Sequence, residues 1–320
     1  MKSWRTLCAL AVLLQAAVLS SCSTQSNSKA AERQWMLQES GTTVNLSSIT
    51  FVNAEKGWAV GAQGTILHTQ DGGRSWVRQD SPTEADLFSV DFIDAQHGWA
   101  AGSQKVFLHT TDGGRSWLSH PQKGDQTVLD IDFITQDRGW SVGTFQDVLL
   151  TTNGGARWES QPTASTFNWT SLFFLNLRVG WATSIRGDII HTQDGGEHWT
   201  GQIRLIHPLA AVHFVDASHG WSVGAGGSIL ATTDGGQHWV PQVSGVGVDL
   251  WGLAFVDRKI GWAVGGDGTI LHTSDGGRRW RQKPSGTQEH LWNLSFADAS
   301  HGWAVGHGGT ILRYDAAIQQ

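Results

Sequence analysis

A repeat of about 41 residues constrains the fold of this chain more than any other feature. The stretch GWAVGAQGTILHTQDGGRSW, at residues 57–76, recurs with edits along the chain. Seven Gly-Trp pairs mark the repeats, and their tryptophans are Trp58, Trp99, Trp140, Trp181, Trp221, Trp262 and Trp303. A period of about 40–45 residues with four short strands per unit is typical of a β-propeller blade.

Seven units predict an all-β, seven-bladed propeller with four-stranded blades. In the first unit the predicted strands, from the central channel outward, are A (46–52), B (57–60), C (65–69) and D (76–80). The seventh unit ends in TILRYDAAIQQ and lacks strand D. Residues 34–39 around Trp35 resemble the missing strand, so we expect them to close the ring as the outer strand of blade 7.

A second signature, Thr-x-Asp-Gly-Gly-x-x-Trp, occupies the turn between strands C and D. It resembles the Asp-box of the bacterial neuraminidase repeat family. In the first unit Asp71 can accept hydrogen bonds from its own turn, and Gly72 and Gly73 permit positive φ. A calcium or sugar ligand is the alternative role, but repetition of the motif along one chain favours turn architecture. We therefore expect no metal site and no cofactor.

The first 21 residues predict a lipoprotein signal peptide. Lys2 and Arg5 precede an apolar run at 7–19, which is too short to span a bilayer. The run ends in Leu-Ser-Ser-Cys, which resembles the bacterial lipobox, and Cys22 is the residue that would be acylated. An ordinary signal peptide is the alternative. The remaining predicted segments are a flexible tether at 22–33, the propeller at 34–314 and a C-terminal tail at 315–320.

Acylation would hold the protein on a membrane of the cell envelope. By resemblance to known lipoprotein sorting, Ser23 after the cysteine suggests the outer membrane, facing the periplasm. Removal of the signal peptide would leave no cysteine except Cys22, which excludes disulfides and thiolate metal sites. The net charge would change from −6 to −8, because Lys2 and Arg5 are lost. An acidic chain without a Lys/Arg run argues against a nucleic-acid partner.

Alternating strand direction sorts the loops onto two faces of the disk. The A–B turns and Asp-boxes share one face and vary little, whereas the D–A and B–C loops share the other and vary more. Binding residues usually lie on variable loops of a rigid scaffold. Large aromatic residues stand where the chain enters strand A on this face: Phe88, Trp169, Trp251 and Trp292. They form a candidate rim for protein or glycan, and packing between inner strands is the alternative.

Polar residues of strand A can face the channel. They are Asp91, Asp130, Asp132 and His213. Two carboxylates that flank a bond could hydrolyse a glycoside, whereas hydrated channel lining is the non-catalytic interpretation, which we favour. A sialidase is disfavoured, because it needs a tyrosine nucleophile and the single tyrosine, Tyr314, lies in a predicted strand.

The recurring GWAVG…G.IL.T.DGG..W, the seven blades and the N-terminal outer strand resemble the photosystem II stability/assembly factor family over residues 34–314. That resemblance implies a non-catalytic scaffold that holds a membrane-protein precursor on the lumenal side of the membrane, partly through an arginine patch. The candidate arginines are concentrated in blades 3 and 4: Arg138, Arg157, Arg178, Arg186 and Arg204.

These observations predict a lipid-anchored, non-catalytic, monomeric propeller that binds a protein, such as a membrane-protein precursor or an envelope complex. In a photosynthetic organism the same anchor would place it on the thylakoid lumen side. A glycan-binding module and a two-carboxylate glycoside hydrolase are the alternative functions.

Overall fold

The computed structural model describes residues 35–163 and 167–316, which form seven four-stranded antiparallel sheets. The predicted signal peptide, the acylation of Cys22 and the tether fall on residues outside these ranges, as do residues 317–320 of the predicted tail. In the described ranges the helical segments are four 3-10 turns: Ser103–Lys105, Ala225–Gly227, Gly266–Gly268 and His307–Gly309. None of the described helices could cross a membrane.

Each sheet is one blade, with its strands in order from the channel outward. Blade 1 contains β2 (Leu46–Phe51), β3 (Gly57–Gly61), β4 (Ile66–Thr69) and β5 (Val77–Arg78). Blade 2 contains β6 (Leu87–Phe92), β7 (Gly98–Gly102), β8 (Phe107–Thr110) and β9 (Leu118–Ser119). Blade 3 contains β10 (Val128–Phe133), β11 (Gly139–Gly143), β12 (Phe145–Thr151) and β13 (Glu159–Gln161). Blade 4 contains β14 (Trp169–Phe174), β15 (Gly180–Ser184), β16 (Asp188–Thr192) and β17 (Thr200–Arg204).

The remaining three blades repeat this order. Blade 5 contains β18 (Leu209–Phe214), β19 (Gly220–Gly224), β20 (Ile229–Thr232) and β21 (Val240–Gln242). Blade 6 contains β22 (Leu250–Phe255), β23 (Gly261–Gly265), β24 (Ile270–Thr273) and β25 (Arg281–Lys283). Blade 7 contains β26 (Leu291–Asp298), β27 (His301–Gly306), β28 (Ile311–Asp315) and β1 (Trp35–Gln38). The predicted seven-bladed, all-β fold is confirmed.

The N-terminal strand closes the ring, as the sequence predicts. Strand β1 pairs antiparallel with β28, and Trp35 lies opposite Tyr314. Strand β28 continues through Asp315, one residue beyond the predicted end of the propeller. The inner strands contact one another around the channel, and β2 of blade 1 meets β26 of blade 7. The first and last strands of the described chain are therefore paired within one sheet.

Stacked aromatic rings join each blade to the next. Phe51 lies across Gly57 of its own blade, where a Cβ atom would come within 2.5 Å of the phenylalanine ring. The other face of Phe51 stacks on Trp303 of blade 7, with ring centroids 3.4 Å apart. The equivalent rings of Trp58 and Phe92 are 3.6 Å apart. The repeated glycine thus makes room for the phenylalanine that packs against the neighbouring blade.

The same tryptophans donate hydrogen bonds across the junctions. Trp58 Nε1–H donates to the carbonyl oxygen of Gly113, in the Asp-box of the next blade, at 3.1 Å. Blade 7 has no Asp-box, and among the described residues Trp262 Nε1 finds no hydrogen-bond partner. Trp35 contacts the Trp262 ring edge-on at 5.6 Å instead. The blade 6–blade 7 junction is therefore held by aromatic packing without the indole hydrogen bond.

Candidate functional site

Loop hydrogen bonds define the two faces of the disk. Gly72 N–H in the first Asp-box donates to the Glu55 carbonyl of the A–B turn at 2.8 Å. On the opposite side, Gln63 N–H of a B–C loop donates to Asp86 Oδ1, just before the next inner strand, at 2.9 Å. We call the first surface the Asp-box face and the second the variable face.

The Asp-boxes are self-contained turns. Gly73 N–H donates to Thr69 Oγ1 at 2.8 Å, and Ser75 N–H donates to Asp71 Oδ1 at 2.9 Å. The Ser75 hydroxyl also donates to Asp71 Oδ2, and the hydrogen bonds to this carboxylate, led by that one, lower the pKa of Asp71 to about 2. In blade 3, Asn153 Oδ1 accepts the equivalent N–H at 2.9 Å. The predicted role of the motif as turn architecture agrees with this geometry.

One group in the described ranges, at the blade 4 Asp-box, has side-chain atoms close enough to share a metal ion. Atoms of Asp194, Glu197 and His198 lie within 4.8 Å of one another. His198 Nδ1 and Asp194 Oδ2 are hydrogen-bonded at 2.7 Å. His238 and Asp234 make the same contact in blade 5 at 2.6 Å. The histidine–aspartate pair is thus a second version of the Asp-box turn.

The predicted aromatic rim needs one correction. Phe88, Trp251 and Trp292 are the second residues of their inner strands and are half-buried. Trp169 is instead the first residue of β14, only 1% exposed, and its Nε1–H donates to the Gln146 carbonyl at 2.8 Å. The first residue of each inner strand is buried and the second is half-buried, so the two positions have different environments. Trp169 therefore belongs to the core and not to the rim.

The remaining rim tryptophans lie beside histidines on the variable face. Trp251 contacts His290 edge-on at 5.5 Å, and Trp292 contacts His307 at 6.3 Å. His290 Nδ1 also accepts the backbone N–H of Asp267, a residue with φ of 54°. These histidines therefore help to fix the loops around the two tryptophans.

The channel carboxylates act as acceptors between neighbouring inner strands. An inner strand is the edge of its sheet, so its N–H groups need partners from elsewhere. Phe133 N–H donates to Asp91 Oδ2 at 2.7 Å, and Phe174 N–H donates to Asp132 Oδ2 at 2.6 Å. Asp130 accepts from two serine hydroxyls and two backbone N–H groups: Ser89, Ser171, Ile131 and Leu172.

Desolvation dominates the ionisation of these carboxyl groups. It raises the pKa of Asp91 to about 7, and the nearby Asp130 charge adds to the increase. Desolvation also raises the pKa of Asp130, and it raises that of Asp132 well above its usual range, with a further contribution from the Asp91 charge. All three keep some accessible surface toward the channel, but the surrounding strands remove most of their hydration.

His213 faces a different part of the channel wall. It lines a cavity of about 380 Å³ with Leu253 and Leu294, and its ring contacts Phe173 at 5.0 Å. Its Nδ1 has no hydrogen-bond partner among the described residues, and desolvation lowers the pKa of His213 to about 4. The imidazole is therefore neutral at pH 7.

The five candidate arginines do not form one patch. Arg138, Arg157 and Arg178 lie on A–B turns or an Asp-box, and so on the Asp-box face. Arg186 and Arg204 lie on the variable face, at the B–C loop and the end of β17 in blade 4. Proximity in sequence does not bring these two sets together, because successive turns of a blade alternate between faces.

Arg186 and Arg204 converge on an aromatic residue that the sequence analysis did not identify. Their guanidinium carbons lie 4.9 Å and 5.9 Å from the ring centre of Phe167. Arg204 also pairs with Asp188, which is buried. Ile185 and Ile206 beside them are exposed, Ile206 at 91%. We call Phe167, Ile185, Arg186, Arg204 and Ile206 the blade 4 patch.

The chain matches one protein-family model over most of its length. The family model described as photosynthesis system II assembly factor YCF48 matches residues 27–123, 121–210 and 241–315. A solved structure described as YCF48 bound to D1 peptide aligns with a TM-score of 0.76 and 23% identity, covering 88% of this chain and 97% of its own. YCF48 from Cyanidioschyzon merolae aligns with a TM-score of 0.75 and 23% identity, covering 88% and 99%.

A propeller of a different description is nearly as similar in shape. The WD40 β-propeller domain of Doa1 has a TM-score of 0.73 and 12% identity, covering 88% of this chain and 97% of its own. At these identities the structural similarity establishes the fold alone. No curated protein matches the chain.

Proposed function

The chain belongs to the photosynthesis system II assembly factor YCF48 family, and from this membership we propose that it is a non-catalytic scaffold that binds a peptide segment of a membrane-protein precursor. The family match to most of the ring is the observation that carries the proposal. A structure of the same fold is described as bound to a D1 peptide, which supports a peptide as the class of ligand.

The blade 4 patch is the proposed contact surface. Arg186 offers a guanidinium group that is exposed and stacked on Phe167, which suits a carboxylate of an incoming peptide. Exposed Ile206 offers apolar surface next to it. Charged and apolar contacts side by side favour an amphipathic peptide with an acidic group over a neutral glycan.

The channel carboxylates support a non-catalytic role. A glycoside hydrolase would need two carboxyl groups that are free to act on a bond. Asp91 and Asp132 each accept an inner-strand N–H of the following blade, and Asp130 accepts four hydrogen bonds. Their position thus has a structural explanation in the contacts between blades.

We also propose that Cys22 is acylated and holds the propeller at the periplasmic surface of the outer membrane, or on the lumenal side of a thylakoid. The basic residues, the apolar run and Leu-Ser-Ser-Cys at residues 19–22 support this. Metabolic labelling with a fatty acid should mark the wild-type chain and the Cys8→Ser control. Labelling that persists in Cys22→Ser would contradict the assignment.

Peptide binding can be tested with a fluorescently labelled D1 peptide and the purified protein. We expect Arg186→Glu to weaken binding by about tenfold or more, because a lost charge-assisted hydrogen bond is worth about 1.5–3 kcal/mol. Arg157→Glu makes the same charge change on the opposite face and should leave binding unchanged. Equal affinities for wild type and Arg186→Glu would exclude the blade 4 patch, and no binding to wild type would refute a D1-like ligand.

A further inference from the structure

Both ends of the described chain lie on the Asp-box face of blade 7. Trp35 begins β1 opposite Tyr314, which takes the strand position of the Asp-box threonine Thr69. Ala316 N–H donates to the carbonyl oxygen of Ser300, in the A–B turn of blade 7, at 3.1 Å. A membrane anchor at Cys22 would therefore connect to the ring on this face. A random-coil segment of about a dozen residues spans roughly 20 Å, so the face would stay close to the membrane.

The neighbouring sector of the same face is strongly basic. Blade 6 places five exposed cationic side chains there: Arg258, Lys259, Arg278, Arg279 and Arg281. The acidic residues of this sector, Asp257 and Asp275, each direct a carboxylate oxygen to N–H groups of their own turns. We call this surface the blade 6 basic sector.

Most of these cations are outside close ion pairs, although the charge of Lys259 lowers the pKa of Asp257 and the charges of Arg279 and Arg278 lower that of Asp275, in each case after hydrogen bonds from backbone N–H groups. Arg258 pairs with Asp216 at 2.7 Å. The other ion pairs of the described residues involve none of the remaining four cations. Burial lowers the pKa of His272 to about 4, and the charges of Lys283 and Arg281 add to the decrease. The positive charge of the blade 6 basic sector therefore also acts on the His272 imidazole inside the blade.

The basic sector is a property of blade 6 and not of the repeat. The corresponding turns of blade 5 contain Asp216 and Asp234 but no lysine or arginine. Blade 4 has Arg178 against Asp194 and Glu197. In a chain with a net charge of −6, this local excess of positive charge stands directly beside the point where residues 1–34 join the ring.

We propose that the blade 6 basic sector rests on an anionic phospholipid surface and orients the propeller on its membrane. The position of the anchor rests on the proposed acylation of Cys22, whereas the charge of the sector does not. The anchor would limit the distance between the propeller and the membrane. The basic sector would set the orientation of the propeller, because lysine and arginine near anionic lipid add electrostatic attraction. The variable face, with the blade 4 patch, then points away from the bilayer toward incoming peptides.

The orientation can be measured on vesicles that carry the acylated protein. Ser274→Cys on the Asp-box face and Gln288→Cys on the variable face are both exposed positions of blade 6. The mature chain has no other free thiol once Cys22 is acylated, so each variant takes one fluorophore. With a quencher on the lipid headgroups of vesicles containing phosphatidylglycerol, we expect quenching at position 274 and none at position 288. Equal quenching, or stronger quenching at 288, would overturn the proposal.

Charge reversal tests the electrostatic part. Flotation of the Cys22→Ser chain, with its signal peptide removed, should show salt-sensitive retention on phosphatidylglycerol vesicles and little on phosphatidylcholine vesicles. The triple variant Arg278→Glu/Arg279→Glu/Arg281→Glu should reduce retention about tenfold or more. The control Arg74→Glu/Arg115→Glu/Arg157→Glu makes the same charge change in blades 1 to 3. Its retention on the vesicles should stay close to that of the parent Cys22→Ser chain.

The outcomes separate this inference from the proposed function. Equal retention of both triple variants would refute the basic sector as a lipid surface. Loss of D1-peptide binding in the blade 6 triple variant, with unchanged vesicle retention, would assign the sector to a protein partner instead. If Cys22 is not acylated, the flotation comparison still tests the blade 6 basic sector, because it uses the Cys22→Ser chain. If the protein does not bind the D1 peptide, the vesicle experiments still test the lipid surface.

Discussion

The indole N–H of Trp303 donates to the carbonyl oxygen of Gly72 at 2.9 Å, although 231 positions separate the two residues. This hydrogen bond joins blade 7 to the Asp-box of blade 1 and repeats a contact made between other neighbouring blades, such as Trp58 to Gly113. The junction between blades 6 and 7 lacks it, because blade 7 has no Asp-box and Trp262 Nε1 has no partner in the described chain.

The two tryptophans should respond differently to the same substitution. Trp303→Phe removes a buried donor from the Gly72 carbonyl, which should cost about 1–3 kcal/mol of unfolding free energy beyond the loss of ring size. Trp262→Phe removes a donor that has no partner, so its cost should be smaller. Urea unfolding followed by circular dichroism would measure both. Equal losses would show that the indole hydrogen bond does not stabilise the junction.

Trp35 should contribute more than any other side chain to holding the closing strand β1 on the ring. Trp35 is 1% exposed and contacts Trp262, Phe296 and Tyr314, whereas Leu37 in the same strand is 68% exposed. Trp35→Ala should therefore destabilise the protein by about 3–5 kcal/mol. Leu37→Ala is the control and should cost less than about 0.5 kcal/mol. Thermal unfolding and limited proteolysis of the N-terminal strand would report both, and similar midpoints would contradict strand closure by Trp35.

Residue 71 should tolerate an amide. Asn153 already occupies the equivalent position and accepts the same turn N–H, so Asp71→Asn should be nearly neutral at low pH while Asp71→Ala costs about 1–2 kcal/mol. The pKa of Asp71 is lowered to about 2. The stabilisation from its ionised form is therefore present above pH 4 and lost as pH falls toward 2. Unfolding of wild type and Asp71→Asn across this range should converge at the acidic end.

The channel carboxylate Asp91 should give the opposite pH dependence. Its pKa is raised to about 7, so the folded state binds the proton more tightly than the unfolded state. Its contribution to stability is then greatest below pH 4 and declines as pH rises toward 7. Asp91→Asn keeps an oxygen acceptor for Phe133 N–H and should flatten this decline relative to wild type. Asp80→Asn, on exposed outer surface, is the control, and parallel pH profiles for all three proteins would refute the assignment.

Trp169 and Trp251 should differ in how much they contribute to stability. Trp169→Ala empties a buried site and removes the donor to Gln146, so a loss of about 3–5 kcal/mol is expected. Trp251→Ala alters a half-buried rim residue and should leave the unfolding midpoint close to that of wild type. Differential scanning calorimetry would distinguish them. A larger loss of stability for Trp251→Ala than for Trp169→Ala would contradict the assignment of Trp169 to the core.

The sequence alone determined the number of blades, their four-strand composition and the closure by Trp35. Those features depend on a local pattern that recurs every 41 residues or so, and each copy makes the same turn and the same contact with its neighbour. The turn role of Asp71 followed for the same reason, because its hydrogen bonds lie within four residues of the aspartate.

Only the tertiary structure decided which residues outside the repeat are available to a partner. Trp169 is the first residue of β14 and is buried like Leu250 at the start of β22, whereas Trp251, the second residue of β22, is half-buried. Arg186 and Arg204 meet on Phe167 because a B–C loop, the end of an outer strand and the start of a blade converge. Such contacts join segments distant in sequence, and no periodicity records them, so the binding surface depends on packing while the ring depends on the repeat.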